Sequence, residues 1–162
     1  MKRLLLVAVA MCSLACSAVS SHAQDADAVV LTIDGKIEGA DARDFSIRDL
    51  EALGMSSFET TTPWHDGKVK FEGVPLKRLM EKVGASGDIA AVLALNNYRS
   101  EIPLSDFTDY PAILALKKDG EYMPVSDKGP LFIIYPFDAS KELKSEVYYS
   151  RSAWQVRSIT IE

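Results

Sequence analysis

The residues best suited to chemistry in this sequence are few, and they suit binding better than bond-making. Trp64 stands in TPWHDG, between a β-branched stretch and an Asp-Gly turn, where an indole can face a cleft. Tyr98, Tyr135, Phe137, Tyr148, Tyr149 and Trp154 also fall near turns or strand ends, although rings of this size more often serve the core. His65 follows Trp64 and, once residues 1–23 are set aside, is the only histidine. A lone imidazole without a thiolate does not make a zinc site, and an oxygen-only site needs clustered carboxylates, whereas the acids here are scattered. His65 therefore reads as a loop histidine beside Asp66-Gly67. No GxSxG, GxGxxG or GxxxxGK[ST] occurs, which removes the usual nucleophile elbow and the phosphate cradles.

The first residues stand apart from the rest. Lys2 and Arg3 precede an apolar run over residues 4–18, and Ser21-His22-Ala23 gives the small-x-small pattern of leader cleavage. Residues 1–23 are expected to be a cleaved signal peptide and residues 24–162 a single exported domain. The apolar run is short for a membrane span of roughly 20 residues. The alternative of lipidation at Cys16 is weakened by Ser13, which stands where a lipobox prefers leucine. Cys12 and Cys16 both leave with the leader, so the mature chain has no thiol or disulfide and must be stable through packing alone. Lys2 and Arg3 leave too, so 16 basic residues face 23 acidic ones, a net −7 that disfavours nucleic acid and anionic membrane.

The elements that must position these residues are short. VVLTIDG reads as a strand ending at Asp34-Gly35. FSIRDLEALG reads as a helix with Ser46 at the N-cap, Asp49 completing a capping box and Gly54 at the end. SSFETTT is a strand. Leu76, Leu79, Met80 and Val83 recur at helical spacing after Pro75, and Gly84 stops that helix. IAAVLAL and GPLFIIYPF read as buried strands, AILALKKDGEYMPV as a hairpin turning at Asp119-Gly120, and WQVRSITIE as the last strand. Many short strands with two or three small helices make an α+β, mixed β-rich single domain.

Four stretches in order carry a resemblance. VKFEGVPLKRLMEKVGA, LALNNYRSEIPLSDF, DKGPLFIIYPFD and AWQVRSITI are similar to successive segments of the oxidoreductase molybdopterin-binding, or sulfite-oxidase-like, domain, over residues 29–162. That resemblance implies the sulfite-oxidase fold. It also exposes a departure: catalytic members carry a cysteine at the end of the strand before the tryptophan, where this chain has Thr60, Thr61 or Thr62. A threonine hydroxyl is a poor ligand for a soft, thiolate-preferring centre. The chain more closely resembles a cysteine-free branch of exported pterin-binding regulators of the PruR type.

The branch resemblance implies a periplasmic, non-catalytic protein that binds a simple pterin without metal. Its implied partner is the periplasmic domain of an inner-membrane sensor enzyme, a diguanylate cyclase or phosphodiesterase acting on cyclic di-GMP. A flat heterocycle needs aromatic faces and a few fixed polar groups. Trp64 and Trp154 are the expected faces; Asn96, Asn97, Tyr98 and Arg99 form a polar turn that supplies edge contacts; Lys128 and Arg151 reach a carbonyl or ring nitrogen; Thr62 stands beside the ring. A carboxylate on the amino-pyrimidine edge is expected among Glu59, Asp106, Asp127 and Asp138. Two other readings stay open: a redox enzyme or redox-chain subunit keeping a molybdenum cofactor, and an interaction domain with no ligand.

Overall fold

The computed structural model describes residues 26–39 and 41–162. The expected leader, its cleavage after Ala23 and the alternative at Cys16 lie outside the described residues. Strand β1 (Val29–Gly35) runs parallel to the last strand, β10 (Val156–Ile161), and antiparallel to β2 (Ala42–Ser46). On the other side of β10, antiparallel β5 (Ile89–Ala94) is followed by β6 (Arg99–Pro103), so the first sheet has the order β2-β1-β10-β5-β6. Its two edges carry charge, Arg43 and Asp44 on β2 and Arg99 and Glu101 on β6, which discourages further pairing.

The second sheet runs β3 (Ser56–Thr62), β4 (His65–Pro75), β7 (Ile113–Lys118) and β8 (Glu121–Tyr122), with β9 (Phe132–Ile134) also paired to β7. The β7–β8 turn has Asp119 and Gly120 at φ 51° and 89°, the two positive-φ positions that an Asp-Gly turn supplies. Leu31, Ile33, Val92 and Ile159 of the first sheet share one buried cluster with Phe71, Leu114, Phe132 and Ile134 of the second.

Helix α1 (Ile47–Ala52) has the expected reciprocal cap: Ser46 Oγ accepts from the Asp49 amide at 3.2 Å, and the Ser46 amide donates to Asp49 Oδ2 at 2.9 Å. Helix α2 (Leu76–Val83) buries Leu76, Leu79, Met80 and Val83, each contributing about 1.5–3 kcal/mol, and ends at Gly84 with φ 62°. Pro75 is its N-cap. Helices α3 (Asp106–Asp109) and α4 (Glu146–Arg151) complete the set.

Three sequence expectations are corrected here. IAAVLAL is not a wholly buried strand: β5 alternates half-buried and buried positions because only one face of its sheet is covered. Arg99 is not part of the turn that precedes it but opens β6. His65 is not a loop residue; it begins β4, paired with Thr62.

Candidate ligand-binding site

Thr62 and His65 are the last paired residues of the β3–β4 hairpin, which leaves Pro63 and Trp64 as its two-residue connection. Proline fixes its own φ at such a position and pre-forms the turn. Thr62 Oγ1 accepts from the Trp64 amide at 3.2 Å and lies 2.8 Å from His65 Nδ1, so one hydroxyl ties both flanks of the tip together. Thr61 pairs next with Lys68, which makes Asp66-Gly67 a bulge; Gly67 has φ 73°, a conformation glycine adopts without strain.

The hairpin tip lays Trp64 among four rings. Their centroids lie 5.7 Å away for Phe132, 6.1 Å for Phe137, 6.0 Å for Tyr149 and 5.5 Å for Trp154, all edge-to-face. These separations lie in the favourable range for aromatic pairs. Trp64, Tyr149 and Trp154 remain half-buried, while Phe132 and Phe137 are buried. Trp64 is thus the centre of an aromatic cluster with a solvent-reaching part, more enclosed than the sequence led us to expect.

Trp154 is held by an isolated bridge to Phe132 just before β10. A loop over residues 125–130 lies against it. Lys128 ends a short 3-10 turn (Val125–Asp127) in the left-handed region at φ 63°, and its carbonyl accepts from the Gln155 amide at 3.0 Å. Gln155 Nε2 donates in turn to the Val125 carbonyl at 2.7 Å. A Cβ on Gly129 would come within 1.8 Å of the Met123 carbonyl oxygen, so only glycine allows the loop to pack here. The outcome is that Lys128 Nζ sits 5.6 Å from the centre of the Trp154 ring.

Charge in this corner is organised around His65. Asp127 forms an ion pair with Lys118, whose hydrogen bond holds the Asp127 carboxyl below the usual carboxylate range. Burial, then the positive charges of Lys128 and Lys118, push the His65 imidazole below its ordinary value, so the neutral ring is favoured. His65 Nε2 is buried without a hydrogen-bond partner among the described residues.

The end of β3, from Thr60 to Thr62, is tied up by Asp138. Thr60 is fully buried; its Oγ1 accepts from the Asp138 amide at 3.0 Å and donates to the Thr61 carbonyl at 3.2 Å. The Thr61 amide and hydroxyl both donate to the Asp138 carboxylate, at 2.9 and 2.7 Å. Lys144 lies 2.7 Å from that carboxylate, and together with Thr61 it holds the acid well below the usual range.

The other expected residues sit around this corner or are engaged elsewhere. Arg151 donates to buried Asp106 at 2.9 Å and lies 5.4 Å from the centre of the Tyr148 ring; Asp106 also accepts from Tyr135 at 2.8 Å. Burial, then Asp106, pushes the Tyr135 hydroxyl far above its ordinary value. This cluster seats α4, which carries Tyr149 to Trp64. In the polar turn, Asn96 Oδ1 accepts from the Tyr98 amide at 2.9 Å, Asn97 has φ 65°, and Tyr98 donates to the Ser150 carbonyl at 2.8 Å. Arg99 is exposed. The turn therefore braces the end of α4 and, through a 2.9 Å bond from the Leu95 amide to the Gln155 carbonyl, the chain beside Trp154. Open hollows of about 500 and 550 Å3 lie elsewhere, the first lined by Val29, Leu93, Val125 and Val156, the second by Arg43, Asp44 and Lys82; neither includes Trp64 or Trp154.

From the sequence Tyr149 was one aromatic among several and His65 a loop residue; the structure sets Tyr149 against Trp64 and His65 in the strand that follows it. Ser145 ahead of EVYYSR was the available sign of α4, and His65 adjoins Trp64 in the chain.

With the strand order, the GVPLKRLM helix and the tryptophan turn in view, the comparison with known families decides the kinship. The oxidoreductase molybdopterin binding domain matches residues 18–141. The chain belongs to this family. No curated protein matches it in a sequence search. The match ends before α4 and Trp154, so two of the rings around Trp64 come from the segment beyond it.

The family name implies a molybdenum-bearing pterin, and the donor set can be tested against it. The described residues include no cysteine, and the hydroxyls of Thr60, Thr61 and Thr62 are all engaged in hydrogen bonds within the protein. No group of three or more His, Cys, Asp or Glu side chains is placed to hold a metal among the described residues. The ionised Asp138 stands directly on the strand end. These residues do not fit a thiolate-ligated molybdenum centre.

Proposed function

We propose that this domain is a non-catalytic binder of a simple pterin, exported to the periplasm, and that it regulates a membrane-bound enzyme of cyclic di-GMP turnover. The observation that carries the reading is a pairing: an aromatic corner is built around Trp64, while hydroxyls engaged by Asp138 and His65 occupy the strand end where the family resemblance implies a thiolate. Family membership supports a pterin-sized ligand, and half-buried indoles with a lysine beside them suit a flat, polar-edged ring.

A domain that performs no bond-making signals by binding its target differently with and without ligand. Exposed Val29, Leu95, Tyr98 and Val125 border the loops that brace Trp154, so ligand binding at the corner can be felt at the surface. The partner in this proposal is the periplasmic part of an inner-membrane sensor, and pull-down from membranes checks it. Recovery of only a respiratory or haem subunit would favour a redox role.

The direct test is mass spectrometry of small molecules released from the protein purified from its own host. A pterin without a dithiolene is the expected species. A molybdopterin would overturn the reading, and no bound small molecule would leave an interaction domain.

A further inference from the structure

Four carboxylates are candidates to read the edge of a ligand stacked in this corner, and their surroundings separate them. Glu59 is exposed on β3, on the face opposite buried Thr60. Asp106 is buried and already shared by Tyr135 and Arg151. Asp138 spends both oxygens on Thr61 and Lys144. Asp127 differs. One oxygen pairs with Lys118, its side chain is 43% exposed, and it directly precedes Lys128, whose ammonium lies over Trp154. Both residues act on His65, next in the chain to Trp64.

We propose that Asp127 is the specificity-determining residue of the site and reads the amino-pyrimidine edge of the ligand, with Lys128 beside it taking the neighbouring carbonyl. This rests on the pterin reading above. A 2-amino-4-oxo-pyrimidine presents, in order, an amino donor, a ring N–H donor and a carbonyl acceptor. A carboxylate accepts the two parallel donors as a fork, and an ammonium on the adjacent residue donates to the carbonyl. The loop is built to hold that order: the left-handed Lys128 is fixed by Gln155, and Gly129 packs against the Met123 carbonyl. Lys118 balances the charge of Asp127, which lowers the cost of covering that carboxylate with a ligand. Lys128 Nζ rests on the half-buried Trp154 ring at 5.6 Å by a cation–π contact alone, so a flat ring can take its place.

The inference is tested by calorimetric titration of the full-length protein with two probes that differ at C2, unsubstituted pterin and lumazine. Lumazine has a carbonyl where pterin has the 2-amino group, and so turns an acceptor toward Asp127. Wild type is expected to prefer pterin by roughly tenfold or more. In Asp127→Asn that preference should collapse to within about threefold while the thermal midpoint stays close to wild type. A merely structural aspartate would weaken both ligands alike. Equal binding of the two probes by wild type, or a preference that survives in folded Asp127→Asn, overturns the assignment while leaving the pterin reading intact. Failure of wild type to bind either probe brings down that reading and this one together.

Discussion

Trp64 and Trp154 meet edge to face with ring centroids 5.5 Å apart, although one belongs to a hairpin tip and the other precedes the final strand. They are the only tryptophans in the chain. A ligand stacked on either must therefore report through both, and loss of either reshapes the other's surroundings.

Trp64→Ala is expected to weaken pterin binding by roughly tenfold or more. It should also cost about 2–4 kcal/mol of stability, because four rings lose their common neighbour. The core at α2 keeps the variant folded. Trp64→Phe separates the two effects by retaining a ring in the cluster. Calorimetric affinity beside urea unfolding measures both, and unchanged affinity in a folded alanine variant removes Trp64 from the site.

His65 makes stability depend on pH. Its folded-state value is depressed below the ordinary 6.5, so the unfolded chain takes up the proton first as pH falls. The stabilisation is complete above about pH 6.5 and is lost as pH drops through the folded value. Urea unfolding at about pH 7.5 and about pH 5 should show wild type losing stability relative to His65→Gln. A parallel loss in both proteins would place the titrating group elsewhere.

Asp138 should act lower on the scale. Its carboxyl is depressed from 3.8 by Lys144 and Thr61, so its contribution is full above about pH 4 and fades as pH falls further. Thermal midpoints followed from about pH 6 to about pH 3 should fall more steeply in wild type than in Asp138→Asn. Identical slopes would show that the latch to Thr60 and Thr61 is not held by charge.

Much of this architecture could be read directly. Ser46 with Asp49, the apolar spacing from Leu76 to Val83, and Asp119-Gly120 are local signals, and each element they mark is present. The parallel pairing of β1 with β10 leaves no local mark, because it joins the two ends of the domain. β2 and β6 are edge strands whose charges hide their strand character, and the Asp66-Gly67 bulge disguised the start of β4. The nearness of Trp64, Trp154 and Lys128 to one another was not marked in the sequence, because the three are far apart along the chain. The pairing of Arg151 with Asp106 likewise leaves no local mark, because the partner is far away in sequence.

Protein purified from its own host should contain molybdenum far below one atom per chain. The reason is the donor set at Thr60, Thr61 and Thr62, whose hydroxyls are bound within the protein. Elemental analysis checks this, and near-stoichiometric molybdenum would contradict it.

A pterin bound in this corner would lie against the indoles, so titration of intrinsic tryptophan fluorescence with neopterin reads its binding. All indole emission comes from Trp64 and Trp154. Saturable, one-site quenching, corrected for absorption by the ligand, is expected, and Trp64→Ala should shift it to higher neopterin by roughly tenfold or more. No saturable change in wild type, with neopterin in either oxidised or reduced form, would contradict pterin binding in this corner.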